Sequence, residues 1–336
     1  MPAATPTIRA IAPGRVNIIG DHTDYTGGLC FPMAIHLATE IVGRRTDADG
    51  VLLRSDNEPE AADVSLNVGD PTEATPGWAR YVAGVVHELR PQQGFHGDVS
   101  TTIPIGAGLS SSAAFEVALA LALGFEGSVL ELAQLCQRAE QVASGVPCGI
   151  LDQLSSAGGR KGKALIMACH DLSQTYVDMP EHADVVVVYS GQERKLSGSE
   201  YPLRVAQCAA AEAVIGPLRL ASLSGLDHID DPVVFRRARH VITENQRVRD
   251  FAAALAEGDV RSAGAIMTQS HVSLRDDYET STPRVDALVT SLLNTPGVYG
   301  ARITGGGFGG CVVALSEPGS LDIGWVVRPS EGARLA

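Results

Sequence analysis

The densest chemistry in the sequence lies in Pro104-Ile105-Gly106-Ala107-Gly108-Leu109-Ser110-Ser111-Ser112-Ala113-Ala114, where a double-glycine turn and three serines open an Ala-rich run. Glycines let the backbone bend so that successive N–H groups point one way. A helix N-terminus then adds its dipole and its unpaired donors. Gly106, Ala107, Gly108, Leu109, Ser110, Ser111 and Ser112 therefore form a candidate nest for the phosphates of ATP, with a serine hydroxyl free to ligate Mg2+. The plainer alternative is a glycine turn with a serine helix cap, for which one serine would be enough. The loop is not a Walker A motif, which needs Gly-Lys-Ser/Thr; Gly162-Lys163 is followed by alanine.

A second concentration runs from Pro13 to Tyr25 and packs Arg15, Asn17, Asp21, His22 and Asp24 beside an apolar segment. So many hydrogen-bonding side chains bordering a strand suit a sugar; they also suit a solvated loop. Asp152 sits in the apolar stretch Cys148-Gly149-Ile150-Leu151-Asp152-Gln153-Leu154. A buried carboxylate needs a partner or a task, and a loop or capping aspartate is the alternative. Glu140 shares a helix face with Cys136 and Ala143, so it interrupts an apolar stripe, either as a Mg2+ ligand or as half of a buried ion pair. Gly305-Gly306-Gly307-Phe308-Gly309-Gly310 formally satisfies G-x-G-x-x-G. A strand-like Cys-Val-Val-Ala-Leu follows where a dinucleotide fold needs a helix, so a tight turn approaching ligand fits better.

The elements that must position these groups follow from periodicity. Thr7–Ala12, Leu29–Val42, Val51–Leu53, Val99–Ile103, Ala164–Ala168, Val185–Tyr189, Arg302–Thr304 and Cys311–Leu315 are predicted strands. Trp78–Leu89, Ser111–Leu123, Leu130–Ala143, Ser199–Ala213, Phe235–Ala256, Val260–His271 and Arg284–Leu293 are predicted helices. The polar, Pro-bearing residues 55–77 read as a surface loop. A β-rich half followed by a helix-rich half predicts an α+β fold of two domains, 1–184 and 185–336.

Bulk composition narrows the function classes. The formal net charge is −13, which disfavours nucleic acid and membrane surfaces as partners, since both carry phosphates. ATP is an anion too, so its site has to be built locally. Six scattered cysteines with no CxxC pair argue against a structural zinc site and a disulfide scaffold. The N-terminal MPAATPTIRAIAPGR has no signal-peptide core and no window reaches membrane-spanning length, so a cytoplasmic protein with reduced thiols is expected.

Taken together, GRVNIIGDHTDYTGG, PIGAGLSSSAA, CGILDQ, GSEYPLR and TGGGFGGC are similar to the motifs of galactokinases in the GHMP kinase superfamily, in the same order and over nearly the whole chain. The resemblance implies a GHMP kinase fold, with a ribosomal protein S5 domain 2-like N-terminal domain, a ferredoxin-like C-terminal domain and the active site between them. It implies ATP-dependent transfer of the γ-phosphoryl group to the anomeric hydroxyl of galactose or a galacto-configured sugar. It implies Asp152 as the catalytic aspartate, accepting the hydroxyl's proton or orienting it, and Arg15 as its charge-stabilising partner. By the same match, Asp21, His22, Asp24, Gly149 and Tyr201 contact the sugar. Gly306 and Gly307 close on the substrate, Trp78 lies near the adenine, and Ser112 and Glu140 hold Mg2+. The protein is expected to be a monomer or weak homodimer with a small-molecule sugar substrate.

Two departures from the family stand out. Asp21 replaces the usual glutamate, withdrawing the carboxylate by about 1.5 Å, one carbon–carbon bond. That leaves galactose as the default and a C6-extended sugar, such as an octose phosphate, as the alternative. The stretch between Leu315 and Trp325 is too short for the helix galactokinases usually carry there. A non-catalytic sugar and ATP sensor is disfavoured by the intact Arg15, Asp152 and serine loop, and a nicotinamide-dependent oxidoreductase by the strand after Gly310.

Overall fold

The computed structural model describes residues 6–104, 106–145, 148–193 and 200–336; Ile105 of the serine-rich turn and Ser199, the predicted start of a helix, lie outside them. The chain opens with β1 (Ile8–Ile19) paired antiparallel to β2 (Leu29–Thr46). β1 therefore runs well past the predicted end at Ala12 and carries Arg15 and Asn17 into the interior. The pairing shifts register between Pro13 and Arg15 and again between Asn17 and Ile19, irregularities that re-aim side chains where a strand meets a site. The segment predicted as loop contains a further strand. After β3 (Gly50–Ser55), Ala62 and Val64 of β4 (Ala62–Ser65) point inward while Asp63 and Ser65 face out.

Helix α1 (Ala79–Leu89) leads to β5 (Gly94–Thr101), then α2 (Ser111–Ala122), α3 (Val129–Ser144), α4 (Leu151–Gly158), β6 (Lys163–Ala168) and β7 (Ser173–Asp178). The second half runs β8 (Asp184–Tyr189), α5 (Glu200–Ile215), α6 (Pro232–Ala256), α7 (Val260–Asp276), α8 (Pro283–Leu293), β9 (Val298–Thr304), β10 (Cys311–Ser316), β11 (Trp325–Val327) and β12 (Arg334–Leu335). Helix starts follow their caps. Asp231 accepts from the N–H groups of Val233 and Val234 with Pro232 at the first helical position, so α6 begins earlier than Phe235. Ser128 and Glu131 form a reciprocal capping box on α3.

The architecture is α+β, as predicted. One sheet is ordered β12-β1-β2-β5-β3-β4, with β6 and β7 extending from β2; the other is ordered β11-β8-β10-β9. Only turns connect Ser316 to Trp325, in keeping with the short sequence there. Chain order and sheet membership diverge at the end, because β12 returns to pair with β1. The largest core draws on both halves: Ile18, Phe31, Val117 and Leu119 lie in one cluster with Phe251, Met267 and Val313. α2 and α4 pack on one side of β1, while α7 and β9 reach its other side. This sandwiching buries β1 on both faces from Ala12 onward and sets its polar residues between the two halves.

Candidate active site

Arg15 and Asp152 meet at the centre of this arrangement. The guanidinium donates from Nε to Asp152 Oδ1 at 2.7 Å and from Nη2 to Oδ2 at 2.6 Å, while Nη1 donates to the Gly108 carbonyl at 2.7 Å. Such a bidentate fork fixes both the carboxylate and the loop it rests on. Asp152 lies in the first turn of α4. It is neither a cap nor a loop residue facing solvent. Its side chain also accepts from the Ser110 hydroxyl.

Ser110 does not act as a side-chain cap. It precedes α2 at φ +60°, in left-handed backbone, and its side chain makes no capping bond. Gly106 and Gly108 are also at positive φ, +77° and +70°, which glycine adopts without strain. The loop therefore turns with the helix N-terminus uncapped by side chains, and its hydroxyl serves the acid. β1 braces it from below, where the Arg15 N–H donates to the Leu109 carbonyl at 3.0 Å.

Ser112 Oγ donates to Glu140 Oε1 at 3.1 Å, bringing together the two predicted Mg2+ ligands. Burial, and then the negative charge of Asp152, pushes the Glu140 carboxyl above its ordinary range. A divalent cation beside these oxygens would relieve that cost, so the donor set fits Mg2+. Two partners went unread in the sequence. Gln153 donates its amide to Glu140 Oε2, and to Glu116 Oε2 at 3.5 Å. Glu116 is fully buried, yet its position in an Ala/Leu-rich helix passed for part of an apolar face. The acid itself was the available signal.

The predicted sugar residues gather on the other side of Asp152. A Cβ on Gly149 would lie 2.8 Å from Asp24 Oδ2, so a larger residue there would push that carboxylate aside. Burial, and then the charge of Asp21, pushes the Asp24 carboxyl up to about 6. His22 Nδ1 lies 3.1 Å from the Tyr25 hydroxyl, and the His22 ring is 5.9 Å from that of Tyr201, making an aromatic wall.

Asp21 is heavily engaged by the protein. Oδ1 accepts from Asn17 Nδ2 at 2.8 Å and from the Gly305 N–H at 3.2 Å; Oδ2 accepts from Arg302 Nη2 at 2.5 Å. Arg302 is wholly buried and also donates to the Ile18 carbonyl at 2.9 Å. Behind it lies Glu244, which accepts from the Gly20 N–H, Ser270 and Arg247. Burial raises Glu244, but Arg247, His240 and Arg302 more than offset this and hold it at about 2. Neither Arg302 nor Glu244 was recognisable as part of the site from the sequence: Arg302 is neutralised by Asp21, far away in the chain, and Glu244, paired with Arg247 on its own helix, showed no sign of its reach to Gly20.

The glycine-rich turn spans both sides. Gly305 touches Asp21, while Cys311 Sγ contacts the Ala107 carbonyl of the serine-rich loop at 2.8 Å. Gly307, at φ +80°, packs on Thr280, where a Cβ would approach to 2.6 Å. Gly306 is half-buried beside it. Trp78 is the outlier among the predicted residues. Its indole donates to the Glu60 carbonyl at 3.0 Å and stacks edge-on against Phe115 of α2 at 6.0 Å, with no bond to the described residues of the loop.

Comparison with known proteins agrees with this arrangement. A galactokinase galactose-binding signature matches residues 3–45, a GHMP kinase N-terminal domain residues 80–160, and a GHMP kinase C-terminal domain residues 251–323. The chain is 45% identical to the galactokinase of Bos taurus over 332 residues, 94% of this chain and 85% of that one. It is 40% identical to the galactokinase of Chloroflexus aurantiacus over 337 residues, 94% and 86% of the two chains. The structure of Lactococcus lactis galactokinase complexed with galactose superposes with a TM-score of 0.90 at 30% identity, covering 98% of this chain and 95% of that one. An L. major mevalonate kinase in complex with R-mevalonate shares the fold alone, with a TM-score of 0.71 at 17% identity over 98% of both chains.

Proposed function

The chain belongs to the galactokinase family of GHMP kinases, and on that premise we propose that it transfers the γ-phosphoryl group of ATP to the anomeric hydroxyl of galactose. The observation that carries the mechanism is the Asp152 carboxylate, gripped by Arg15 and touched by Ser110, between the serine-rich loop and the Asp24–Tyr201 pocket.

Phosphoryl transfer asks a protein mainly for positioning and charge stabilisation. Backbone N–H groups from Gly106 to Ser112 and the N-terminus of α2 receive the phosphates. Ser112 and Glu140 would hold Mg2+, which when bound neutralises phosphate charge. Asp152 accepts the hydrogen bond of the anomeric hydroxyl and, as transfer proceeds, its proton. Arg15 fixes that carboxylate through two hydrogen bonds and lies beside the charge that develops. Asp24, His22, Tyr201 and the backbone at Gly149 bind the sugar. Asp21 uses three of its roughly four acceptor sites on protein donors, which leaves one for a substrate hydroxyl. Gly306 and Gly307 close the turn over the substrate, and Trp78 flanks the adenine.

A galacto-configured hexose is favoured over the C6-extended alternative by the galactose-binding signature and by the galactose-bound relative. Among the described residues no helix is long and apolar enough to cross a membrane. We further propose cytoplasmic action as a monomer or weak homodimer, with residues 1–184 and 185–336 as the two domains. Release of ADP measured over galactose, N-acetylgalactosamine, arabinose and C6-extended sugars tests the assignment. Galactose-dependent release is expected, and its absence with folded protein would refute it.

A further inference from the structure

Three helices bring polar groups to the metal side of the cleft: α2 carries Ser112 and Glu116, α3 carries Glu140, and α4 carries Gln153 next to Asp152. Gln153 is fully buried, and its single amide nitrogen serves both acids, donating to Glu140 Oε2 and to Glu116 Oε2. Around them the layer is apolar, with Ala113, Val117, Cys136 and Ala139 all buried. Glu116 Oε1 and Gln153 Oε1 have no hydrogen-bond partner among the described residues.

An apolar trio of similar volume would stabilise such a layer at least as well, because buried polar groups with unmet bonds cost free energy. What the trio supplies is direction. Ser112 holds one oxygen of Glu140 and Gln153 holds the other, so the carboxylate cannot turn away from the loop. We propose that Gln153, backed by Glu116, is a positioning residue that aims Glu140 at Mg2+. This rests on the kinase reading above, in which Glu140 is a metal ligand. The bond from Gln153 needs only an acceptor oxygen at position 116, which a glutamine amide also supplies, so glutamine should replace Glu116.

Partners of metal ligands are typically worth about 10–100-fold in metal affinity or activity. The decisive variant is Gln153→Met, which keeps the shape and removes the amide. The Mg2+ concentration giving half-maximal galactose-dependent ADP release should rise about tenfold or more, while the KM for galactose stays unchanged. Calorimetric titration with ATP in the presence and absence of Mg2+ should show the metal-dependent gain in affinity shrink by the same factor. Unchanged Mg2+ dependence in both measurements overturns the proposal.

If circular dichroism shows that Gln153→Met does not fold, Glu116→Ala and Glu116→Gln replace it. Alanine should weaken the Mg2+ dependence and glutamine should restore it, whereas wild-type behaviour in both overturns the proposal. The wild type separates the two levels. If it releases no ADP with galactose, the kinase reading falls. The calorimetric comparison, which needs no turnover, then still judges the brace.

Discussion

Asp152 and Asp21 are both aspartates held by an arginine, yet they do opposite work. Asp152 keeps a third of its side chain exposed, at 33%, although Arg15 beneath it is buried. Its pair faces the cleft, so the carboxylate is oriented but still reachable by an acceptor hydroxyl. Asp21 and Arg302 are almost wholly covered by protein, at 7% and 0% exposure. Behind them Glu244 and Arg247 continue the network into α6. A buried pair seldom repays its full desolvation, and here Arg302 Nε has no hydrogen-bond partner among the described residues, so the value of the pair is mainly positional. The same two residue types therefore give a working group where β1 meets α4 and a rivet where β1 meets β9.

Substitutions at the two pairs should pull apart in their readouts. Asp152→Asn is expected to cut kcat by about 10²–10⁴-fold while ATP still binds and thermal stability barely changes. Near-normal kcat would remove Asp152 from the mechanism. Arg302→Met should instead lower stability by about 3–5 kcal/mol in urea unfolding, because it strands the buried carboxylate of Asp21. A variant as stable as wild type would show that the network is dispensable.

Smaller effects probe the sugar pocket between the pairs. Gly149→Ala puts a methyl group against Asp24 and should raise the KM for galactose by about tenfold, equivalent to about 1.4 kcal/mol, with the KM for ATP unaffected. Equal shifts in both constants would point to general distortion. The mildest effect is on pH. With Asp24 raised to about 6, its carboxylate accepts sugar hydroxyls above that pH and is protonated below it. The KM for galactose should therefore climb as pH falls through 6. The stability contribution of the same group runs the other way. Its folded pKa exceeds its unfolded value, so it stabilises at low pH and loses that stabilisation as pH rises through 6. Weaker binding at pH 5.5 thus cannot be put down to unfolding driven by this residue. A flat profile would mean that Asp24 is not an acceptor for the sugar.

Most of the fold was legible because periodicity carries it. α2, α3 and the long C-terminal helices announce themselves by apolar spacing and end near their predicted limits, except α7, which runs on past His271 to Asp276. α4 did not, since its eight residues lie between Gly149 and the pair Gly158-Gly159, too short for a helical pattern to emerge. The polar β7 and the brief β11 and β12 were missed for the same lack of signal. At the site, Asp152 and Glu140 stood out as acids in apolar surroundings, and the structure gives each a partner. Arg302 read merely as the start of a strand. A sequence displays a charge but not the distant group that neutralises it, and local pattern cannot supply that pairing.

The return of β12 to the first sheet has a consequence for how the molecule comes into being. Residues 328–335 bond to β2 through His36 and Ala34, to the end of α4 through Gly159 and Ser156, and to β1 through Ile11. The helix bearing the catalytic acid is thus clasped by a strap translated long after it. A chain of which only the first half has been made lacks the strap across that helix. Severed fragments should regain activity only when both are supplied together.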